Sequence, residues 1–397
     1  MAEMLPAMTE DEEKLHRFEQ RIANGEKIEA DDWMPDIYRN TLIKLISMHG
    51  ISEIMGALPE KEWVPKAPTL HRKLGIMAKV QDEMGHGQLL LRVAEDSMKP
   101  YGKKREDIMQ DLFNGDLKFH NVFHMEAKSW GDAGLIGWLV DGAAIITQTD
   151  MLGASYGPYA RALQRICAEE VFHAQHGEAI IMALAEGTNE QRQMVQDAID
   201  YWWESLLLFF GPPSKNEIGA SKQDITIKYR IRTKTNEQLR QSFLTKYVKR
   251  IRSLGFTIPD ETLRFDEETE KWIYRQPDWT KLKLIAKNEG PKSQERLNLR
   301  RSSYAANQWV REALAPKANY RSVRFMTNEQ GSFFEEYDVF SRKTPTGPVQ
   351  YQFNLLAPNE EMAMMMAQEN FMRMEAVEDI WVVKTTSIRK MTHEEKQ

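Results

Sequence analysis

Cysteine is almost missing from this chain. Cys167 is the single one among 397 residues, which excludes an intrachain disulfide and any metal cage built from several thiolates, and makes a reducing compartment the easier setting. Long apolar runs are missing too. No window approaches the roughly 18 uninterrupted apolar residues of a membrane span, and even WLVDGAAII is broken by Asp141. The opening residues MAEMLPAMTEDEEKLHR are acidic where a secretory leader would be basic and then apolar. A cytoplasmic protein with no membrane segment is therefore expected. Positive charge is not in excess either: the formal charge of -6 gives no general preference for nucleic acid. A glycine fingerprint ahead of a dinucleotide-binding helix is also lacking, so direct binding of a nicotinamide cofactor is not expected.

What is present suits a folded chain of one large domain with an appendage, or of two or three domains, with 42% hydrophobic and 28% charged residues. Apolar side chains recur at helical spacing over 37–57, 70–96, 132–151, 159–184 and 189–210, so the dominant architecture is read as α-helical. KPYGKKREDIMQDLFNGDLK reads as turns around short helices, and Gly211, Pro212 and Pro213 stop the fifth long helix. Residues 222–315 return to polar helical patterns and are expected to extend the helical body. The pattern then changes. With 316–335 as a linker, 336–343 and 349–356 read as strands, EEMAMMMAQENFMRMEA as a helix and 380–385 as a third strand. The expectation is a mainly α bundle over 1–315 and a small β-β-α-β module over 336–397. In that module's helix Met362, Met365 and Met366 share a face that Met372 partly resumes, read as core or interface packing.

Two stretches carry chemistry. KVQDEMGHGQLL holds Glu83 and His86, and RICAEEVFHAQHG holds Glu170 and His173, each an E-x-x-H that sets carboxylate and imidazole on one side of a helix. A third match, Glu13 and His16, lies in a polar terminus and reads as solvated surface. A bundle centre for two irons takes one further carboxylate from each of two other helices. Glu53 in HGISEIMGAL and Asp141 in IGWLVDGAAII are the candidates, Asp141 because its neighbours are otherwise apolar. Oxygen-rich ligands with neutral imidazoles suit iron in changing oxidation states. Glu83 and Glu170 are the better bridges, and Glu53 and Asp141 the better terminal ligands. Buried acid–histidine networks, or another metal, are the competing readings. Glu169 and Asp82 are placed to orient the imidazoles. His49 and His176 are read as packing or hydrogen-bonding residues near the site, and Cys167 as a buried inert thiol.

The blocks RNTLIKLISMHGISEIMGALPE, KAPTLHRKLGIMAKVQDEMGHG, IGWLVDGAAIITQTD and SYGPYARALQRICAEEVFH resemble the catalytic subunit of bacterial phenylacetyl-coenzyme A epoxidases, over most of residues 25–310. The tail from YDVFSRK to VVKT resembles the small accessory subunit of the same multicomponent monooxygenases, so one chain would fuse two polypeptides that are usually separate. The resemblance implies a ferritin-like fold and the six metal ligands Glu53, Glu83, His86, Asp141, Glu170 and His173. It implies oxygen-dependent epoxidation of the ring of phenylacetyl-CoA at a di-iron centre, with electrons from a separate NADPH-dependent flavin/iron–sulfur reductase. It also implies a ferritin-like partner subunit within a higher oligomer, and a tail that organises the complex. For the phosphates of such a thioester, Lys79 near an entrance and the cluster Lys103, Lys104 and Arg105 are the expected contacts. An iron-oxidising or iron-storing ferritin-like protein, or a non-catalytic scaffold, are the alternatives.

Overall fold

Helix starts are written into the sequence. Thr69, Ser129, Thr188 and Thr235 each stand one residue ahead of a helix and accept the backbone N–H of the third residue inside it, satisfying a donor that the helix itself leaves unpaired. The structure, a computed structural model, describes residues 9–213, 224–290, 293–309, 335–368 and 377–388. The chain divides into two units, Met1–Ala305 and Ala306–Gln397.

The first unit begins with α1 (Glu10–Ala23), α2 (Asp36–Lys61), α3 (Leu70–Met98) and α4 (Arg105–Asn114). Next come α5 (Trp130–Leu135), a π-helical turn (Ile136–Val140) and α6 (Asp141–Asp150), which follow one another without a break. Then come α7 (Gly157–Ala185), α8 (Asn189–Phe209), α9 (Ile225–Lys228) and α10 (Asn236–Ser253). The ring that matters runs α2 on α3, α3 on α7, and α7 on α5, the π turn and α6. Leu42, Ile46, Leu90, Leu163 and Ile166 fill one core, while Trp138, Leu139, Trp202, Leu206 and Phe243 belong to a second. Each such fully buried side chain contributes ~1.5–3 kcal/mol.

Two crossings in the ring are closer than side chains allow. A Cβ on Gly177 would sit 2.3 Å from the carbonyl carbon of Gly137, and a Cβ on Gly87 2.8 Å from the carbonyl oxygen of Gly50. Glycine therefore lets α7 meet the π turn, and α3 meet α2, backbone against backbone. These contacts lie within one turn of His173, Asp141, His86 and Glu53, which is how four helices come near enough to share a site.

The polar helical reading of 222–315 is corrected at one place. Strands β1 (Arg264–Asp266) and β2 (Lys271–Ile273) form an antiparallel hairpin, turned by Glu270 at φ 52°. The run RFDEETEKWI is too short and too charged at its centre to show an alternating pattern, and Trp272 rather than a hydrophobic stripe anchors it in the second core. α11 (Trp279–Ala286) and α12 (Ser293–Ala306) complete the unit.

The second unit contains β3 (Glu335–Arg342), β4 (Gln350–Ala357), α13 (Glu360–Met366) and β5 (Asp379–Lys384), with β3 central and antiparallel to both neighbours. Tyr337, Val339, Leu355 and Ala357 face Ala363 and Ala367 in its core. Of the two roles expected for the methionine face, core packing does not hold for Met362 and Met365, which are 38% and 48% exposed, and the small Ala363 and Ala367 are buried instead. Met366 packs against the core edge. The expected linker lies outside the described residues except for Glu335, which opens β3, and Met372 also lies outside them.

Candidate metal centre

The six side chains singled out in the sequence converge at one buried place. Ligating atoms of Glu53, Glu83, His86 and Glu170 lie within 4.8 Å of one another, and so do those of Glu83, Asp141, Glu170 and His173. Glu53 comes from α2, Glu83 and His86 from α3, Asp141 from the start of α6, and Glu170 and His173 from α7. Glu83 and Glu170 belong to both groups. A π turn directly before Asp141 widens the helix there, a feature that recurs at functional sites. Glu13 and His16 stay apart on α1, His16 against Gln20.

Each imidazole has one nitrogen committed outward and one left for the centre. His86 Nε2 lies 2.6 Å from Glu169 Oε2, while its Nδ1 is 3.6 Å from Glu53 and 3.4 Å from Glu170. His173 Nε2 lies 3.4 Å from Asp82 Oδ2, and its Nδ1 is 3.4 Å from both Glu83 and Glu170. The buried atoms His86 Nδ1, His173 Nδ1 and Glu170 Oε2 make no hydrogen bond. Buried nitrogens are rarely left so, and an outer carboxylate on the far nitrogen is how proteins orient histidine ligands.

The charges also ask for a cation. Burial by itself would raise Glu170, but the charge of His173 and the nearby imidazole of His86 hold its carboxyl at about 2. Burial raises Glu83 well above the usual range, helped by the negative charges of Glu170 and Glu53. Burial also opposes ionisation of Glu53, which the hydrogen bond from His49 and the nearby His86 imidazole nonetheless keep low. Asp141 is pushed up to about 8 by burial, against the opposing Lys79 ammonium and with Glu170 and Glu60 adding to the rise. Without a metal, the cluster thus holds protons on carboxylates that bound divalent cations would displace. The residues present fit a pair of metal ions.

A cavity of about 430 Å³ reaches the cluster. Glu53, Glu83, Asp141 and Glu170 line it, followed by apolar walls that include Met48, Phe123, Val140, Ala144, Phe209 and Phe210. The lining extends to exposed Lys118 and to half-buried Leu282 and Ala286 on α11. A mainly apolar cavity with a few polar groups in its wall is the usual form of a small-molecule site.

The expected phosphate contacts need correction. Lys79 is 1% exposed, not at an entrance; its Nζ lies 2.6 Å from Asp141 and 2.7 Å from Glu60. Burial lowers its affinity for a proton, but the carboxylates of Asp141, Glu60 and Glu83 more than reverse this. A helical lysine one turn before Glu83 reads equally well as surface or interior from sequence, and only Glu60 on α2 and Asp141 on α6 make the interior tolerable. Lys103, Lys104 and Arg105 do not line the cavity. They lead into α4, where the Lys104 N–H is held by Asp107 and Arg105 reaches Glu95. The cations that do line it are Lys118 and Arg232, the latter 2.7 Å from Asp224. No local motif marked them, because they meet the cavity from segments on either side of α8.

His49 lies 2.7 Å from Glu53, and Glu169 and Asp82 hold the imidazoles. His176 instead stacks on Phe172 and faces Gly75. Cys167 meets Gln148 at 3.8 Å and is half-buried, its thiol pushed up to about 12 by burial and by the charges of Glu170 and Glu53. Gln148, Tyr159 and His120 were not anticipated. All line the cavity, and a lone Gln or Tyr in a helix carries no spacing signal.

Residues 8–309 match the family described as phenylacetic acid catabolic protein. The chain belongs to that family. Its residues 333–397 match a second family, phenylacetic acid degradation B, so both parts of a fused architecture are present in one polypeptide. A curated relative from Escherichia coli (strain K12), named as one of the subunits of 1,2-phenylacetyl-CoA epoxidase, is 44% identical over 317 residues, which cover 80% of this chain and 99% of that protein. The shared length therefore takes in nearly the whole of that relative. No described helix of this family member is long and apolar enough to cross a membrane.

Proposed function

We propose that this chain is the catalytic component of a di-iron monooxygenase that converts phenylacetyl-CoA to its ring epoxide. The observation that carries the reading is the pair of donor sets sharing Glu83 and Glu170 at the inner end of an apolar cavity. The activity for which the relative is named supports the substrate.

In this reading His86 and Glu53 serve one iron, His173 and Asp141 the other, and Glu83 and Glu170 lie between them. Two irons bound there would supply the reduction of molecular oxygen, with one atom added across a ring double bond and the other released as water. The protein's part is placement and protection. Glu169 and Asp82 keep the two Nδ1 atoms turned inward. Lys79 compensates Asp141 and Glu60 in the interior. The apolar walls hold the phenyl ring and exclude water, while Lys118 and Arg232 meet the phosphates of the thioester. Electrons arrive from a separate NADPH-dependent flavin/iron–sulfur reductase. A helical partner protein joins the chain in a higher oligomer, which the tail organises in the cytoplasm.

The test is reconstitution of the full chain with its helical partner and reductase, measuring NADPH- and oxygen-dependent conversion of phenylacetyl-CoA alongside iron content. Two irons per chain and a ring epoxide are expected. Turnover by a rigorously iron-free preparation, or mineral accumulation without epoxide, would refute the reading.

A further inference from the structure

The two oxygens of Glu53 live in different surroundings. Oε2 lies inside the cluster, 3.6 Å from His86 Nδ1. Oε1 faces outward, 2.7 Å from His49 Nε2 and 3.3 Å from Gln148 Nε2. Behind these, His49 Nδ1 lies 2.8 Å from the Tyr159 hydroxyl, and the Gln148 carbonyl oxygen is 3.8 Å from Cys167 Sγ. His49, Gln148 and Tyr159 are buried, Tyr159 completely. They stand on α2, α6 and α7, so three of the four ligand-bearing helices contribute to holding one carboxylate.

The direction of each bond follows from what each group can donate. The Tyr159 hydroxyl is also 3.7 Å from Met151 Sδ, but a thioether is a weak acceptor and a ring nitrogen a strong one, so its proton turns to His49 Nδ1. His49 then carries its own hydrogen on Nε2 and donates it to Glu53 Oε1. The Gln148 amide is 3.2 Å from that same nitrogen. A nitrogen already bearing hydrogen offers it no lone pair, so the amide N–H goes to Glu53 Oε1 instead. Two donors converge on Oε1, whereas the imidazole nitrogen facing Oε2, His86 Nδ1, stands 3.6 Å away.

We infer that Tyr159, acting through His49, and Gln148, acting directly, are positioning residues that hold Glu53 Oε1 away from the metals, so that Glu53 ligates one iron through Oε2 alone. The inference rests on the di-iron reading above. It makes the two ends of the centre unlike: Glu53 is held by an imidazole and an amide that also line the cavity, whereas Asp141 is held by the Lys79 ammonium.

The test uses the full chain, loaded with ferrous iron without oxygen. Tyr159→Phe removes one hydroxyl and keeps the ring; Gln148→Leu removes the amide and nearly keeps the volume. Iron affinities are read by chelator competition, the two iron environments by Mössbauer spectroscopy, and the fold by thermal unfolding of the metal-free chain. Each variant should bind one iron on the order of tenfold more weakly and change one of the two ferrous signals while leaving the other as in wild type. In a His49→Leu background, Tyr159→Phe should have no further effect, because its route to Glu53 is already cut. His49→Gln, which restores an amide donor, should recover most of the affinity lost in His49→Leu. Wild-type affinities and signals in both Tyr159→Phe and Gln148→Leu would overturn the inference, as would a full Tyr159→Phe effect persisting in the His49→Leu background. A wild-type chain that fails to bind two irons would overturn the di-iron reading and this inference together.

Discussion

Glu83 and Glu170 differ from the other four candidate ligands in belonging to both donor groups. Removing either therefore touches both ions. Glu83→Ala or Glu170→Ala should lower iron retained after gel filtration to below roughly half of wild type and abolish epoxide formation; wild-type iron content in either variant would contradict the shared-ligand geometry. The same residues set a pH dependence. Asp141 is raised to about 8 and Glu83 is raised well above its ordinary value, both chiefly by burial. In the metal-free chain they keep protons that the unfolded chain would already have lost, so they weaken the fold as pH rises from the ordinary carboxylate range through about 8. Metals must displace those protons. Affinity should therefore climb as pH rises towards about 8 and level off above it, with proton release visible as buffer-dependent heat in titration calorimetry. Metal binding that is independent of pH across this range would mean the carboxylates are already ionised.

At the scale of the element, the helices are easier to read than their closeness. Helical spacing and the Gly-Pro-Pro stop locate α2, α3, α7 and α8 to within a few residues. The π turn and the two glycine crossings are different, since nothing local distinguishes Gly177 from Gly85. Their surroundings do: a Cβ at Gly85 meets nothing within 4 Å, whereas one at Gly177 meets backbone on the π turn. Gly85→Ala should stabilise the chain by ~0.5–1 kcal/mol, because alanine is the better helix former. Gly177→Ala should cost ~1–3 kcal/mol through overpacking, and should also weaken metal binding by moving α7 from Asp141. Thermal unfolding of the two variants side by side checks both signs; equal shifts would mean that α7 and the π turn are not in backbone contact.

For the whole molecule, all six candidate ligands and the lining of the cavity lie in the unit Met1–Ala305. A chain ending after residue 309 should fold and retain its full complement of iron, while losing whatever assembly the tail provides. Iron analysis and sedimentation of the shortened chain separate the two roles, and loss of iron on removing the tail would show that the second unit supports the centre. The match of residues 333–397 to a separate family makes this division a natural one.

Periodicity was enough to read a mainly helical bundle and a small β-β-α-β tail, and the paired E-x-x-H with two carboxylates in apolar surroundings to nominate Glu53, Glu83, His86, Asp141, Glu170 and His173, because spacing within one helix is a local property. Contacts between helices are not local. That Lys79 lies buried between Glu60 and Asp141 and that Tyr159 reaches Glu53 through His49 were decided only when α2, α3, α6 and α7 packed together, and that Lys118 and Arg232 rather than Lys103, Lys104 and Arg105 line the cavity only when the segments on either side of α8 closed on it. A helix specifies which of its residues share a face, but the burial and the partner of that face belong to the neighbours against which it lies.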